Sequence, residues 1–431
     1  MNDTPRNTPS RRAFLAGTAG LMAAGGAAVP AAAKIAASPA QNPTVGHDVV
    51  PFFGPHQGGI LTPAQKHTYF AAFDLATGSR EEVAALLARW TRAADRMTRG
   101  ETVAPLPADL EDTNADSADV LELPPSRLTI TFGFGAGLFR KDGQDRYGLA
   151  SQRPEALVDM PTFPGDQLVD SLVGGDLSIQ ACADDPQVAF HAVRQLARLA
   201  GDSATIRWVQ IGFVGGFGAK ETPRNLMGFK DGTGNPPVND DAEMNKFIWV
   251  GDEGPAWLRG GSYVVVRRSR IFLEHWDRMK VAFQEQTFGR RKYSGAPLSG
   301  HKESDPLNLD ATDQDGNPVI PENSHVRLAT AASNDGMKIL RRSYSYNDGA
   351  NVVAERWPPW HQGLEYDAGL IFVCYQRDPR SGFIKLFEKM AKFDMMNQFV
   401  TNIGSALFAC PPGAGKGEFI GQRLFERTAR S

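Results

Sequence analysis

A chain of 431 residues is too long for one compact core and suits two domains of roughly 150–200 residues each. Hydrophobic residues at 42%, charged residues at 22% and a mean hydropathy of −0.32 argue against an integral membrane protein and fit a globular enzyme. With a formal charge of −3, nothing in the balance points to nucleic acid as a partner.

The N-terminus is read as an address. Ser10-Arg11-Arg12-Ala13-Phe14-Leu15-Ala16-Gly17 carries paired arginines ahead of an Ala- and Gly-rich run to about Val29, the layout of a signal peptide. That run is weakly hydrophobic and shorter than the roughly 20 residues a membrane span needs. Arg11-Arg12 before Phe14-Leu15 resembles a twin-arginine export signal over residues 1–37, with small residues at Ala31–Ala33 and Ala36-Ala37 offering cleavage near 33 or 37. Loss of residues 1–33 removes Arg6, Arg11, Arg12 and Asp3 and moves the charge from −3 to −5. The mature protein is expected in the periplasm or outside the cell, without a membrane span. The twin-arginine route carries folded cargo, which often already holds a cofactor.

Next comes a pattern that occurs twice. Thr68 to Leu75 reads as a strand; Ser79 can cap a helix with Glu82 three residues on, and Val83, Leu86, Leu87, Trp90 and Met97 fall at helical spacing. Arg127 to Gly133 and Asp176 to Ala183 read as strands, and Asp185-Pro186 opens a helix that turns Phe190, Val193 and Leu196 inward. Thr205 to Gly212 completes a β-α-β-β-α-β unit over residues 50–220, the order of a ferredoxin-like domain. The second half, 221–431, repeats it: strand Ser262–Arg270, helix Glu274–Phe288, strands Leu340–Tyr346 and Ala368–Tyr375, and a helix opened by Asp378-Pro379 with Phe383, Leu386, Phe387 and Met390 on one face. Asp185-Pro186 maps onto Asp378-Pro379 at an offset of 193 residues and Tyr69 onto Tyr263 at 194, which suggests duplication of one unit. The expected class is α+β, two ferredoxin-like domains with antiparallel sheets, joined through an irregular segment near 215–245. Cys182, Cys374 and Cys410 form neither a disulfide framework nor a zinc pattern and read as buried strand residues.

The joining segment carries Asn225-Leu226-Met227-Gly228-Phe229-Lys230-Asp231-Gly232-Thr233-Gly234-Asn235-Pro236. Taken alone it is a Gly/Asn/Pro loop whose Asp makes a turn; a phosphate loop is disfavoured because no Lys-Ser/Thr follows. Later come His325, in Asn323-Ser324-His325-Val326-Arg327-Leu328, and, sixteen residues on, Arg341 in Ile339-Leu340-Arg341-Arg342-Ser343-Tyr344. A single such His is most simply a hydrogen-bonded structural residue.

Together these segments resemble the dye-decolourising peroxidase family. Phe53-Gly54-Pro55-His56-Gln57-Gly58-Gly59-Ile60, the run Leu128 to Phe139, and Gly289-Arg290-Arg291-Lys292-Tyr293-Ser294-Gly295-Ala296-Pro297-Leu298 extend the likeness through most of the chain. The resemblance implies one haem b per chain, held mainly by the C-terminal domain, with His325 as the proximal iron ligand and Asp231 and Arg341 as the distal catalytic pair. It also implies that Gly232, Thr233 and Gly234 line the haem, as do the residues after His325. There Thr330-Ala331-Ala332 stands where relatives tend to carry Asn-Pro-Arg, so Arg327, Arg341 and Arg342 all stay open as propionate partners. The proximal His needs an acceptor for its second ring nitrogen, which the sequence does not identify. Asp231 as carboxylate can accept and return a peroxide proton, whereas Arg341, always protonated, stabilises developing negative charge.

The implied activity is reduction of hydrogen peroxide with one-electron oxidation of dyes or phenolic donors. The export signal and the His-Gln-x-Gly-Ile entry look most like the deferrochelatase subgroup, which implies an alternative: iron release from intact porphyrin, with an envelope iron-uptake system as partner. A haem carrier is the third reading, and a homo-oligomer stays open. Trp357, Trp360, Tyr344, Tyr346 and Tyr375 are electron relays by residue type only, and core packing is the simpler role for them.

Overall fold

The computed structural model describes residues 49–106, 115–215, 222–354 and 362–426. The export signal, its cleavage sites, Trp357 and Trp360 lie outside the described residues. In the first half, β1 (His67–Leu75), α1 (Arg80–Thr98), β2 (Thr129–Gly135), β3 (Leu177–Ala183), α2 (Pro186–Ala200) and β4 (Ala204–Phe213) follow one another in the expected order. Ser79 caps α1 by accepting from Glu82 N, and Asp185 caps α2 by accepting from the backbone nitrogens of Gln187 and Val188. Pro186 sits in the first turn of α2, where a missing N–H leaves nothing unpaired.

The second half is built from α3 (Asp241–Phe247), β5 (Ser262–Ile271), α4 (Leu273–Trp276), α5 (Val281–Phe288), α6 (His325–Ala329), β6 (Leu340–Arg341), β7 (Tyr344–Ala354), β8 (Gln362–Gln376), α7 (Lys385–Phe393) and β9 (Val400–Cys410). Three expectations need correction. The helix over Glu274–Phe288 is two helices, because Trp276 turns into an aromatic cluster, donating from Nε1 to Met227 O at 3.1 Å, while Gln284 Nε2 donates to the Trp276 carbonyl left at the break. The strand over Leu340–Tyr346 is interrupted at Arg342-Ser343, where Arg342 turns inward to the Thr62 carbonyl and Gln65 Oε1. Phe190 is 42% exposed, since Val188, Ala189, Ala192, Val193 and Leu196 supply the inward stripe of α2.

Strand order in the first half is β4-β1-β3-β2 and in the second β9-β5-β8, with both β6 and β7 on the far side of β8; every pairing between named strands is antiparallel. Both are ferredoxin-like orders. The two sheets meet at their edges, β2 against β9 through Phe134↔Ala409 and Gly135↔Phe408, and β4 against β7 through Phe213↔Ser345. Because side chains alternate across a strand, Phe70, Ala72, Val264, Val266, Ile371, Val373 and Phe408 fill the space between the sheets, while Ala71, Phe73, Tyr263 and Val265 face outward into the second core. Cys182 and Cys410 belong to the inner core; all three cysteines are buried and unpaired, and burial pushes the Cys374 and Cys410 thiols far up.

The segment Phe53–Ile60 is structural. Gln57, 4% exposed, donates to Phe132 O at 3.0 Å and Pro411 O at 2.9 Å and accepts from Phe132 N at 2.8 Å, tying the segment to β2 and to the end of β9. Gly59 has φ +95°, and a Cβ there would lie 2.4 Å from Thr131 Oγ1, so no other residue fits. Among the described residues no helix is long and apolar enough to cross a membrane.

Trp90 anchors the first half: it is fully buried between α1 and the sheet and donates from Nε1 to Leu196 O at 2.7 Å. Trp90→Ala removes that volume and the indole hydrogen bond, and should cost about 3–5 kcal/mol of stability, read as a lowered midpoint in urea unfolding followed by circular dichroism.

Candidate active site

Residues 222–236 form a hairpin-like loop whose backbone is tied by its own polar groups. Asn225 Oδ1 accepts from Met227 N and Phe229 N, Asp231 N donates to Pro223 O at 2.9 Å, and Asn235 N donates to Gly232 O at 3.0 Å. Gly232, at φ +119°, takes the left-handed conformation that lets the chain turn immediately after Asp231. Arg341 enters from β6, paired on one side with Cys374 of β8. Asn235 holds its other side, donating from Nδ2 to Arg341 O at 2.8 Å and accepting Arg341 N at 3.1 Å. This amide completes the pairing of a two-residue strand and fixes the loop against it.

The result is a contact between side chains 110 residues apart in sequence: Arg341 Nη1 donates to Asp231 Oδ1 at 3.2 Å, with each side chain about one-quarter exposed. Both line a cavity of about 330 Å³, with Gly232, Asn235, Leu340 and Ile60 among its walls. Its lining does not include His325. Arg290, half-buried on the segment after α5, lies near enough to Arg341 and Glu303 to feel their charges. Burial lowers its pKa, Glu303 opposes that, and the neighbouring Arg341 charge adds to the lowering. Glu303 itself is held below the usual carboxylate range: burial raises it, but the Lys230 ammonium and the Thr222 and Thr233 hydroxyls outweigh the burial.

His325 opens α6 and is half-buried. Its Nδ1 lies 2.7 Å from Asp394 Oδ2, and a buried carboxylate can only accept, so Nδ1 carries the proton and Nε2 presents a lone pair. Nε2 has no hydrogen-bond partner among the described residues. Asp394 is doubly committed, since its other oxygen accepts from Met396 N at 2.8 Å at the start of a short 3-10 turn. The two clusters share a foundation. Phe229, two residues before Asp231, stacks on Phe288 with ring centroids 3.9 Å apart, and Phe288 meets the His325 ring at 5.9 Å. Gly289, at φ +80°, permits this approach: a Cβ there would lie 2.7 Å from Val326 Cγ2 and 2.9 Å from Ser324 Oγ.

Two of the three arginines left open also make bonds to the fold. Arg327 Nη1 donates to Leu309 O at 2.8 Å and Ile320 O at 3.1 Å, and the buried Arg342 donates to Thr62 O and Gln65. Thr330 ends α6, and Ala331 and Ala332 open a 3-10 turn whose start is held by Asn334, which donates from Nδ2 to Leu328 O and Thr330 O at 2.8 Å each. Thr233 spends its hydroxyl on Glu303 at 3.0 Å, and neither it nor Gly234 is among the residues lining the cavity. Asp394, Asn235 and Glu303 are the functional candidates that the sequence did not single out. Only Asn235 lies in a recognised segment; Asp394 looks in sequence like the capping residue it also is.

An N-terminal Dyp-type peroxidase profile matches residues 57–214 and a C-terminal one residues 222–415. The chain belongs to the Dyp-type peroxidase family. It is 37% identical over 452 aligned positions to the dye-decolorizing peroxidase of Thermobifida fusca strain YX, covering 98% of this chain and 99% of that one. It is 36% identical over 420 positions to the deferrochelatase of Escherichia coli K12, covering 94% of each. Among solved structures, ferric DtpA from Streptomyces lividans matches with a TM-score of 0.78 at 42% identity, over 89% of this chain and 99% of that one. The DyP-type peroxidase from Cellulomonas bogoriensis matches with a TM-score of 0.75 at 38% identity, over 89% of this chain and 99% of that one.

A Dyp-type peroxidase is a haem enzyme, and the residues present fit that group. His325 offers an unpaired Nε2 with its tautomer already set, which is what a ligand to ferric iron requires. Asp231 and Arg341 pair a carboxylate with a guanidinium, groups whose chemistry can move a proton and hold a fixed positive charge. The His325–Asp394 pair yields a direct test. Asp394→Ala should weaken haem retention about ten- to a hundredfold, measured by haem transfer to an acceptor protein, and should lower the iron–histidine stretch in the resonance Raman spectrum of the ferrous form. Unchanged retention and an unmoved stretch would mean that the carboxylate is only a helix cap.

Proposed function

We propose that this Dyp-type peroxidase binds one haem b through His325, with Asp231 and Arg341 acting on hydrogen peroxide on the opposite face. The contact between Asp231 and Arg341 at 3.2 Å in the cavity wall carries this reading. A haem carrier gains nothing from a charged, proton-transferring pair, whereas a peroxidase needs both members. Gly232, Thr233 and Gly234, with Thr330, Ala331 and Ala332, would pack their backbone against the haem edge. When bound, haem supplies an iron centre that takes oxidising power from peroxide and passes it to donors one electron at a time.

The chain's own residues divide the work around that centre. Asp231 as carboxylate takes the proton from the inner peroxide oxygen and returns it to the outer one, the leaving oxygen. Arg341 keeps its charge throughout and stabilises the negative charge that develops as the O–O bond breaks. Asn235 holds the Arg341 backbone in place for this. Asp394 keeps the Nδ1 proton of His325, so Nε2 stays a donor to iron through repeated turnover.

Export by the twin-arginine route to the periplasm or beyond is part of this proposal, and the support is the Arg11-Arg12 motif in an apolar, Ala-rich leader. Small phenolic or dye donors are the proposed reductants. The likeness to a deferrochelatase favours the second reading, iron release linked to an envelope iron-uptake system. Against its primacy, the described residues hold no group of three or more His, Cys, Asp or Glu able to receive iron.

Asp231→Asn and Arg341→Leu should each retain haem yet slow formation of the first oxidised intermediate by about a hundredfold or more in stopped-flow absorbance. Rates within a few-fold of wild type in both would sink the assigned roles. The two activities separate in a paired assay on the purified protein with haem. With peroxide, phenolic donors should be oxidised repeatedly; with a reductant and no peroxide, little metal-free porphyrin should appear by fluorescence and mass. Stoichiometric porphyrin with chelatable ferrous iron and poor donor turnover would make iron release the primary activity.

A further inference from the structure

The segment after α5 contributes a carboxylate that grips the Asp231 hairpin from outside. Glu303 accepts from Lys230 Nζ at 2.6 Å through one oxygen and from Thr233 Oγ1 at 3.0 Å through the other, and the Thr222 hydroxyl is a third partner. Lys230 and Thr233 stand on either side of Asp231 in the chain, and Thr222 lies at the hairpin's start. Room for this grip depends on Gly295, at φ +76°: a Cβ there would fall 2.8 Å from Lys230 Cδ and 3.5 Å from Glu303 Cγ. Arg290 pins the same segment, donating from Nη1 to Gly295 O at 2.7 Å and Glu303 O at 3.2 Å.

We propose that Glu303 is a positioning residue for the peroxide step, fixing the hairpin that carries Asp231 and occupying the Lys230 ammonium so that Arg341 remains the cation paired with Asp231. This rests on the reading of Asp231 as the proton carrier. The charged groups around the site are Lys230 on the hairpin, Arg290 from the segment after α5 and Arg341 from β6; Arg224 at the hairpin's base is spent on the carbonyls of Gly228, Lys292 and Tyr293, and Arg342 in the cavity wall on Thr62 and Gln65. Without Glu303, Asp231 faces Lys230 and Arg341 with no second carboxylate to hold the ammonium. An unpaired cation beside a carboxylate favours its charged form, so the acid limb of the rate profile must move to lower pH. A carboxylate that merely staples a loop would leave that limb where it is.

The experiment compares the holoenzyme with Glu303→Gln, Glu303→Ala and the double variant Glu303→Ala/Lys230→Met, using stopped-flow rates with peroxide across pH. Glu303→Ala should slow the first step roughly ten- to a hundredfold, as expected for a displaced catalytic group, and move the acid limb down by about half a pH unit or more. Glu303→Gln keeps an acceptor for Lys230 and Thr233 but not the charge, so it should recover most of the rate while the limb stays displaced. Adding Lys230→Met to Glu303→Ala should return the limb without returning the rate. In the haem-free proteins, hydrogen exchange across residues 222–236 should rise in Glu303→Ala and not in Glu303→Gln. A rate within about twofold of wild type with an unmoved acid limb in Glu303→Ala, or unchanged exchange in the hairpin, overturns the proposal. Wild-type rates in Asp231→Asn would remove the peroxide reading, while the exchange measurement would still judge the hold of Glu303 on the hairpin.

Discussion

The stacked rings of Phe229 and Phe288 are the joint on which the site depends. Phe229 belongs to the Asp231 hairpin and Phe288 ends α5, and the same Phe288 ring meets His325. Trp276 and Phe399 close round them edge-on, with centroids 5.0 Å apart, and Trp276 reaches back to the Met227 carbonyl. Offset and edge-to-face aromatic contacts prefer particular geometries, so the cluster sets orientation as well as stability. The Asp231 hairpin and the His325 imidazole are therefore both packed on one aromatic cluster, through Phe229 and Phe288. The break between α4 and α5 follows from the same demand, because a continuous helix would not deliver Trp276 and Phe288 into the cluster together.

Closing two ferredoxin-like sheets at their edges serves the site in a different way. Ladder edges are exposed hydrogen-bonding surfaces, and pairing β2 with β9 and β4 with β7 joins them at one end of each strand. The β4 to β7 junction places β6 next to the 60–64 segment, so that Arg342 points into the interior while Arg341 points at Asp231. β6 ends at Arg341, and the break in the strand just after it lets Arg342 turn to Thr62 and Gln65 while Arg341 keeps its contact with Asp231.

Much of the fold was legible in the chain. Period-two and period-3.6 patterning, the Ser79 and Asp185 caps and the repeated Asp-Pro signal located the first half's elements to within a few residues, because each depends on neighbours a few positions away. Where the reading went astray, a distant contact had overruled the local pattern. Trp276 broke a helix to reach Met227, and Arg342 interrupted a strand to reach Thr62; Phe190 left the helix's inward face because smaller side chains already filled it.

The same division runs through the site. By itself the sequence determined the fold class, the family likeness and the identities of His325, Asp231 and Arg341 as candidates, since motif spacing and residue chemistry are properties of the chain. Only the tertiary structure decided which groups serve them. It brought Asp394 to His325 across 69 residues, Asn235 to Arg341 across 106, and Glu303 to Lys230 across 73. It also gave Arg327 Nη1 to the carbonyls of Leu309 and Ile320, and Arg342 to Thr62 and Gln65. An acceptor for an imidazole proton or a clamp on a loop can come from any part of the chain that folding brings within about 3 Å, and no local pattern encodes that choice.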